Sequence, residues 1–173
     1  MNEVLKNMME RRSVRNFTDR EIERPVLEDI AAAASWAPSG MDRQSWRFTV
    51  LTKRAAIQKL ARAVAAATGA GPDYNFYNPT AAILCSEEIT NTNAIANCAC
   101  AMQNILLEAS SLNVGGVWIN QLRDNCSDPG VRAVLTELGV PQTHFVVALA
   151  ALGYTREKPK TMPRKDGVIV FAD

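Results

Sequence analysis

Three arginines stand close together near the start of the chain, where residues 11–15 read Arg-Arg-Ser-Val-Arg. A guanidinium group binds phosphate oxygens through paired, charge-assisted hydrogen bonds. Arg11, Arg12 and Arg15, together with the hydroxyl of Ser13, could therefore hold a phosphate. The alternative is a solvated helix end, at which positive charges offset the helix dipole. The arginines taken alone favour this second interpretation.

A polar loop follows about two dozen residues later, where residues 37–46 read Ala-Pro-Ser-Gly-Met-Asp-Arg-Gln-Ser-Trp. Side chains such as those of Ser39 and Gln44 could donate hydrogen bonds to a polar ring. They could also be ordinary turn and capping residues, because polar side chains in turns bond to nearby backbone groups. The two segments together favour a site for a ligand that carries both a phosphate and a polar ring.

Length and composition restrict the class of protein. The 173 residues are 47% hydrophobic and 21% charged, which suits one domain with a sizeable core. A net charge of +1 from 19 basic and 18 acidic side chains gives no broad basic surface for nucleic acid or anionic lipid. We therefore expect no nucleic-acid or membrane partner.

Targeting and metal signals are weak in this sequence. Charged residues interrupt the region after Met1, and no uninterrupted apolar run reaches the roughly 18 residues that a membrane span needs. A cytoplasmic location is the resulting expectation. The four cysteines lack paired spacing, and His144 is the single histidine, so neither a disulfide scaffold nor a metal site is predicted.

Periodicity and turn residues predict a chain that mixes helices and strands. The predicted helices cover residues 2–12, 25–37, 55–68, 93–112 and 128–138. The predicted strands cover residues 46–52, 81–85, 117–119 and 144–153. Such a mixture belongs to the α+β or α/β class.

Two predicted elements raise the question of a second subunit. The helix over residues 93–112 is small and apolar on nearly every side, which predicts a central helix that is buried all round. Some of its neighbours could belong to another copy of the chain. Residues 168–171 form a detached β-like segment that could complete the chain's own sheet or that of a partner.

No side-chain constellation for catalysis stands out. The sequence contains no G-x-S-x-G, no G-x-G-x-x-G and no G-x-x-x-x-G-K-[ST] motif. One histidine is also too few for both a catalytic triad and a metal site. We therefore predict no hydrolytic machinery, no Rossmann dinucleotide site and no P-loop, and a phosphate held by the arginines would belong to another kind of ligand.

The two opening segments, taken with residues 103–109, 116–119 and 153–154, resemble the FMN-dependent nitroreductase family in order and spacing. The resemblance implies a single flavin-binding domain over residues 1–173 with an α+β, nitroreductase-like fold. A central mixed or antiparallel β-sheet would be flanked by helices. The protein would be an intertwined homodimer with two FMN sites at the subunit interface, and a C-terminal strand could be exchanged between the subunits.

The resemblance also implies which residues bind the cofactor. The residues that would hold the FMN phosphate and ribityl chain and approach the polar edge of the ring are Arg11, Arg12, Ser13 and Arg15. The residues that would reach the flavin from the other subunit are Pro38, Ser39, Met41 and Gln44. The residues whose backbone would lie near the isoalloxazine are Val117, Trp118 and Ile119. Arg164 would be a second phosphate-binding residue. The chain departs from the family at Asp42, where asparagine is usual, and at Ser45, where proline is frequent.

The implied function is that of an FMN-dependent oxidoreductase. NADH or NADPH would reduce the flavin and leave before a nitro, quinone or other conjugated small-molecule acceptor enters, which is a ping-pong mechanism. A flavin carries its own redox chemistry, so the absence of a catalytic side chain fits this function. The alternative is a flavin-binding protein of the same fold that stores or modifies flavin and is not a general reductase.

Overall fold

A four-stranded β-sheet forms the centre of the computed structural model, which describes residues 1–157 and 159–172. The strands are β1 (Arg47–Leu51), β2 (Ala81–Glu88), β3 (Gly115–Ile119) and β4 (His144–Gly153). Their order across the sheet is β1-β2-β4-β3, and each neighbouring pair is antiparallel. The predicted mixed or antiparallel sheet is therefore antiparallel. All four predicted strands are confirmed.

Within the described residues, six α-helices surround the sheet. They are α1 (Glu3–Glu10), α2 (Arg24–Ser35), α3 (Arg54–Thr68), α4 (Ala94–Ser111), α5 (Gln121–Asn125) and α6 (Pro129–Glu137). Local signals define several of their ends. The side chain of Asn2 accepts a hydrogen bond from the N–H of Leu5 at the start of α1, and Gly69 ends α3 with a φ of 70°. The five predicted helices are confirmed, whereas the single turn and a half of α5 was not predicted.

Helices cover both faces of the sheet, so each strand contributes to two cores. Alternate residues of β2 point to opposite sides: Ile83 and Cys85 pack with α2 and α4, while Leu84 packs with α3 and α6. A register shift at Cys85 and Ser86 interrupts this alternation. The arrangement confirms the predicted α+β class.

Helix α4 corrects one prediction. Its buried residues include Ala101, Met102 and Ile105, all of which face α2 and the sheet. Ile95 and Cys100 on the opposite side are exposed. The helix is therefore buried on one side only, and the expectation of burial all round is wrong for the chain by itself. Composition reports that a helix is apolar, but it does not report which neighbours cover each side.

The tail does not form the strand that one of the two alternatives gave it. Residues 168–171 form no strand, and their four apolar side chains are 71–87% exposed. The segment does not complete the chain's own sheet. One reason is that the β3 edge is already occupied, since the N–H of Val14 donates to the carbonyl of Gly116 at 3.0 Å. Pairing with a partner's sheet stays a prediction.

Candidate functional site

The arginine segment runs along the outer edge of β3. Helix α1 ends where the N–H of Arg11 donates to the carbonyl of Asn7 at 2.8 Å. Ser13 then forms a parallel bridge with Gly116, and the N–H of Val14 donates to the carbonyl of the same glycine. We call residues 11–15 the arginine arm. Backbone hydrogen bonds to the sheet determine its path.

Small residues in the sheet let the arginine arm and its continuation come close. A Cβ atom on Gly115 would lie 2.8 Å from Cγ1 of Val14, and a Cβ atom on Gly153 would lie 2.9 Å from Cδ1 of Phe17. Both distances are shorter than a carbon–carbon contact allows. Val14 is buried, and because side chains alternate along an extended segment, Ser13 and Arg15 point to the other side.

The arginine arm carries positive charge without a carboxylate to balance it. Within the described part of the chain, no aspartate or glutamate forms an ion pair with Arg11, Arg12 or Arg164. Burial lowers the pKa of Arg11, and the neighbouring charges of Arg12 and Arg164 lower it further. Arg164 is thus near enough for its charge to act on Arg11, and these guanidinium groups would together suit a phosphate.

Arg15 has an aromatic neighbour that the sequence did not assign to it. Its guanidinium carbon lies 5.8 Å from the ring centroid of Tyr77. Tyr77 is 45% exposed, whereas the adjacent Phe76 is buried in the core beside α3. Residues 76–78 all have positive φ angles, from 52° to 67°, which is uncommon outside glycine. Phe76 thus contributes to the core, whereas the partly exposed Tyr77 lies at the surface beside Arg15.

Strand β3 lies directly beside the arginine arm. Val117 and Ile119 are buried on the α3 and α6 side of the sheet, and the partly buried Trp118 packs with the α2 and α4 core. The backbone of this strand lies between β4 on one side and the arm on the other. The structure thus brings together the predicted phosphate residues and the strand predicted to lie near the ring.

The polar loop has a strained backbone. Met41, Asp42 and Gln44 have φ angles of 56°, 51° and 49°, which L-residues other than glycine seldom adopt. Each such residue costs on the order of 1–2 kcal/mol relative to ordinary backbone. Strain of this kind persists where surrounding contacts hold it, and it is frequent at ligand-binding segments.

Side-chain amides of the α4 region hold the ends of this loop. The N–H of Gly40 donates to Oδ1 of Asn97 at 3.0 Å, and Nδ2 of Asn91 donates to Oγ of Ser45 at 3.1 Å. Asn97 is buried although it belongs to an apolar helix. Neither contact was predicted. The available signal was a polar residue on the inner side of α4.

Two further hydrogen bonds lie inside the loop. The N–H of Gln44 donates to Oγ of Ser39 at 3.2 Å, and Nε2 of Gln44 donates to Oδ1 of Asp42 at 2.7 Å. An ionised carboxylate only accepts, so Asp42 determines which end of the Gln44 amide faces it. The carbonyl oxygen of Gln44 is left to face other groups. The unusual aspartate therefore has a defined local role.

The arginine arm and the polar loop lie far apart in one chain. The loop is bonded to Asn97 near the start of α4, whereas Arg11 and Arg12 border the same small cleft as Ser110 near its end. At 1.5 Å per residue, these two points on α4 are about 20 Å apart. The loop leads directly into β1, whereas the arm pairs with β3. These two strands form opposite edges of the sheet. One chain does not assemble both parts around one ring.

Among residues 1–157 and 159–172, no group of three or more histidine, cysteine, aspartate or glutamate side chains could hold a metal ion. The same residues include no helix that is long and apolar enough to cross a membrane. Nδ1 of His144 lies within hydrogen-bond distance of Oγ of Ser86, at 3.3 Å.

Comparison with known proteins gives consistent results. The model of the nitroreductase family matches residues 8–154. A protein of Archaeoglobus fulgidus, named as a candidate NADH dehydrogenase/NAD(P)H nitroreductase, is 30% identical over 163 residues, which are 91% of this chain and 88% of that protein. The crystal structure of a Bacteroides fragilis nitroreductase with bound FMN is 34% identical, with a TM-score of 0.93 and complete coverage of both chains. A Desulfitobacterium hafniense nitroreductase with bound FMN is 26% identical, with a TM-score of 0.90 and complete coverage of both chains. This chain belongs to the nitroreductase family.

Proposed function

We propose that this protein is an FMN-dependent oxidoreductase that uses NADH or NADPH to reduce nitro, quinone or other conjugated acceptors. The observation that carries the proposal is a set of guanidinium groups beside the edge of β3 that have no carboxylate partner in the described part of the chain. The similar Bacteroides fragilis structure has FMN bound, and the name of the similar Archaeoglobus fulgidus protein refers to NAD(P)H. Both support the same cofactors here.

The residues of the arginine arm fit the two ends of FMN. Arg11, Arg12 and Arg164 would hold the phosphate, and the hydroxyl of Ser13 would add a hydrogen bond. Arg15 would lie nearer the ring, because it is the last residue of the arm along β3. When bound, FMN supplies the redox chemistry, taking a hydride from the nicotinamide and delivering electrons to the acceptor.

The remaining role of the chain is to orient the ring and favour its charge. A cation held at the polar edge of the ring stabilises the negative charge that develops there during reduction. Arg15 is our candidate for this cation, and Tyr77 holds its guanidinium group from one side. The backbone of Val117, Trp118 and Ile119 would lie under the ring. No side chain needs to act as an acid, base or nucleophile.

A homodimer is part of the proposal, and the exposed apolar surface supports it. Helix α1 has no buried residue, and Trp36 at the end of α2 is 84% exposed. The other large apolar side chains of this surface are Val4, Leu5, Met8, Met9 and Ile95. A groove of about 630 Å³ lies between α1, the end of α2 and α4. Large apolar side chains that stay exposed in one chain are typical of a subunit interface.

Two-fold symmetry would bring the two halves of the site together. In a two-fold interface each subunit presents the same patch to the other. If the outer sides of two α4 helices pack antiparallel, the start of one helix lies next to the end of the other. The polar loop of one subunit, with Pro38, Ser39, Met41 and Gln44, would then reach the arginine arm of its partner. This arrangement explains why the halves are separated within a chain.

The remaining parts of the proposal rest on the sequence. We propose one flavin-binding domain over residues 1–173 and a cytoplasmic protein. The exposed segment over residues 168–171 would pair with the partner subunit. A crystal structure of the dimer tests the pairing of residues 168–171, and cell fractionation tests the location.

An anaerobic titration tests the proposed function. The purified protein should bind one FMN per chain and should lose its yellow colour rapidly when NADH or NADPH is added. A nitroaromatic or quinone should then restore the colour. Double-reciprocal plots of the steady-state rate against nicotinamide concentration, at several acceptor concentrations, should be parallel lines. A yellow protein that neither nicotinamide bleaches would support the flavin-storing or flavin-modifying alternative. A protein that does not bind added FMN would contradict the proposal.

A further inference from the structure

A carboxylate is buried next to the polar loop. Glu87, near the end of β2, has no exposed surface, and no described cation forms an ion pair with it. Its Oε1 accepts from the N–H of Glu88 at 3.2 Å, and its Oε2 accepts from Nδ2 of Asn97 at 3.1 Å. Burying a carboxylate without a cation is costly for stability. A residue of this kind is therefore expected to have a specific role.

The carboxylate determines the orientation of the Asn97 amide. A carboxylate oxygen accepts hydrogen bonds, and Asn97 turns its NH₂ group toward Glu87, with Nδ2 at 3.1 Å from Oε2. Its carbonyl oxygen must then point the other way, where it accepts the N–H of Gly40 at 3.0 Å. With the opposite orientation, two donors would face each other at Gly40. Glu87 thus acts on the polar loop through one intervening amide.

The bond at Gly40 precedes the strained part of the loop. Met41, Asp42 and Gln44 have left-handed backbone conformations that the loop would relax if Gly40 were free. Gly40 is also closely confined, since a Cβ atom there would lie 2.4 Å from Nδ2 of Asn93. Gly40 is therefore held by its hydrogen bond to Asn97 and by close contact with the side chain of Asn93.

We propose that Glu87 and Asn97 are positioning residues for the flavin site of the partner subunit. The pair holds Gly40, and through it the left-handed segment of the polar loop, in the shape that contacts the ring. This inference rests on the proposed function, because the loop has a flavin to contact only if the protein binds FMN. The pair itself touches neither cofactor nor substrate.

Exchanging the two functional groups tests the proposal. Asn97→Asp should place two carboxylates against each other, and Glu87→Gln should let the Asn97 amide turn either way. We expect Asn97→Asp to raise the Kd for FMN about tenfold, the size expected for one hydrogen bond with a charged partner. The double variant Asn97→Asp/Glu87→Gln restores a donor at 87 and an acceptor at 97 that can still receive the Gly40 N–H. Its Kd should return to within about threefold of the wild type.

The visible circular dichroism of bound FMN gives a second readout, because it reports the surroundings of the ring. It should change in each single variant and return in the double variant. Ile105→Val is the matched control: this residue is buried on the same helix but packs in the core, and the change should lower the melting temperature slightly. The control should leave both the Kd and the dichroism unchanged.

The outcomes separate this inference from the proposed function. Wild-type protein that fails to bind FMN overturns both. Wild-type protein that binds FMN, with single variants that match it in Kd and dichroism, overturns the positioning role alone and leaves a purely structural pair. If Asn97→Asp does not fold, Glu87→Gln is compared with the double variant in the same two measurements.

Discussion

The arginine arm and the polar loop are held in place by different means. Backbone hydrogen bonds to the edge of β3 hold the arm, and its contribution to a ligand is charge. Side-chain amides from α4 and from the segment just before it hold the loop. Three residues of the loop have strained backbone conformations. The difference shows that one half of the site depends on which side chains it carries, whereas the other depends on the shape that its neighbours impose.

The largest effect is expected from removing charge in the arm. Arg11→Ala should weaken FMN binding by about 1.5–3 kcal/mol, because a charged hydrogen bond to the phosphate is lost. Fluorescence titration of FMN measures the change. Arg62→Ala, an exposed arginine on α3, is the control and should have wild-type affinity. Equal affinities for wild type and Arg11→Ala would remove Arg11 from the phosphate site.

Moving the arm without changing its charge should have the next largest effect. In Gly115→Ala the new methyl group would overlap Val14, which must shift together with the neighbouring arm. We expect a loss of stability of about 1–3 kcal/mol and weaker FMN binding. Gly71→Ala is the control, since a Cβ atom there meets nothing within 4 Å. If Gly115→Ala behaves like Gly71→Ala, the path of the arm along β3 is wrong.

A smaller effect of opposite sign is expected in the loop. Met41→Gly should stabilise the protein without cofactor by up to about 1 kcal/mol, because glycine accepts a φ of 56° without strain. Arg43→Gly, two residues later, should destabilise it by about 0.5–1 kcal/mol, since Arg43 has ordinary helical angles. Chemical denaturation measures both. A destabilised Met41→Gly variant would show that the loop is not strained there.

The smallest effect concerns pH and lies outside both halves of the site. Burial lowers the pKa of His144 below its ordinary value near 6.5, so the folded state resists protonation more than the unfolded state. Stability should therefore decrease as the pH falls below about 6.5 toward 5. His144→Gln should remove part of this decrease while leaving FMN affinity unchanged. Parallel stability curves for the two proteins would show that the folded protein does not shift the pKa of His144.

Local signals in the sequence were sufficient for most of the fold. Asn2 before α1, Gly69 after α3 and the apolar run of β4 act within a few residues, so the elements that they define were predicted with nearly correct ends. The arginine arm was predicted for the same reason, since its three arginines lie within five residues. Helix α5 was missed because five residues do not display a helical period.

Long-range relations were not available from the sequence. The contact of Asn97 with Gly40 joins residues 57 positions apart, and no local pattern indicates it. The left-handed angles of the loop fall on methionine, aspartate and glutamine, which carry no turn signal as clear as glycine. The exposed side of α4 was predicted wrongly, and the pairing of residues 168–171 was left open between two sheets, because no local pattern indicates what covers a given side chain.

A mixed dimer tests most directly whether two chains build one flavin site. One chain would carry Arg11→Ala together with Arg15→Ala, and the other would carry Ser39→Ala together with Gln44→Ala, each with its own affinity tag. If arm and loop come from different subunits, the mixed dimer has one intact site and one doubly altered site. The account predicts about one tightly bound FMN per mixed dimer, and only weak binding in either homodimer. A mixed dimer as defective as both homodimers would contradict it, because arm and loop would then act within the same chain.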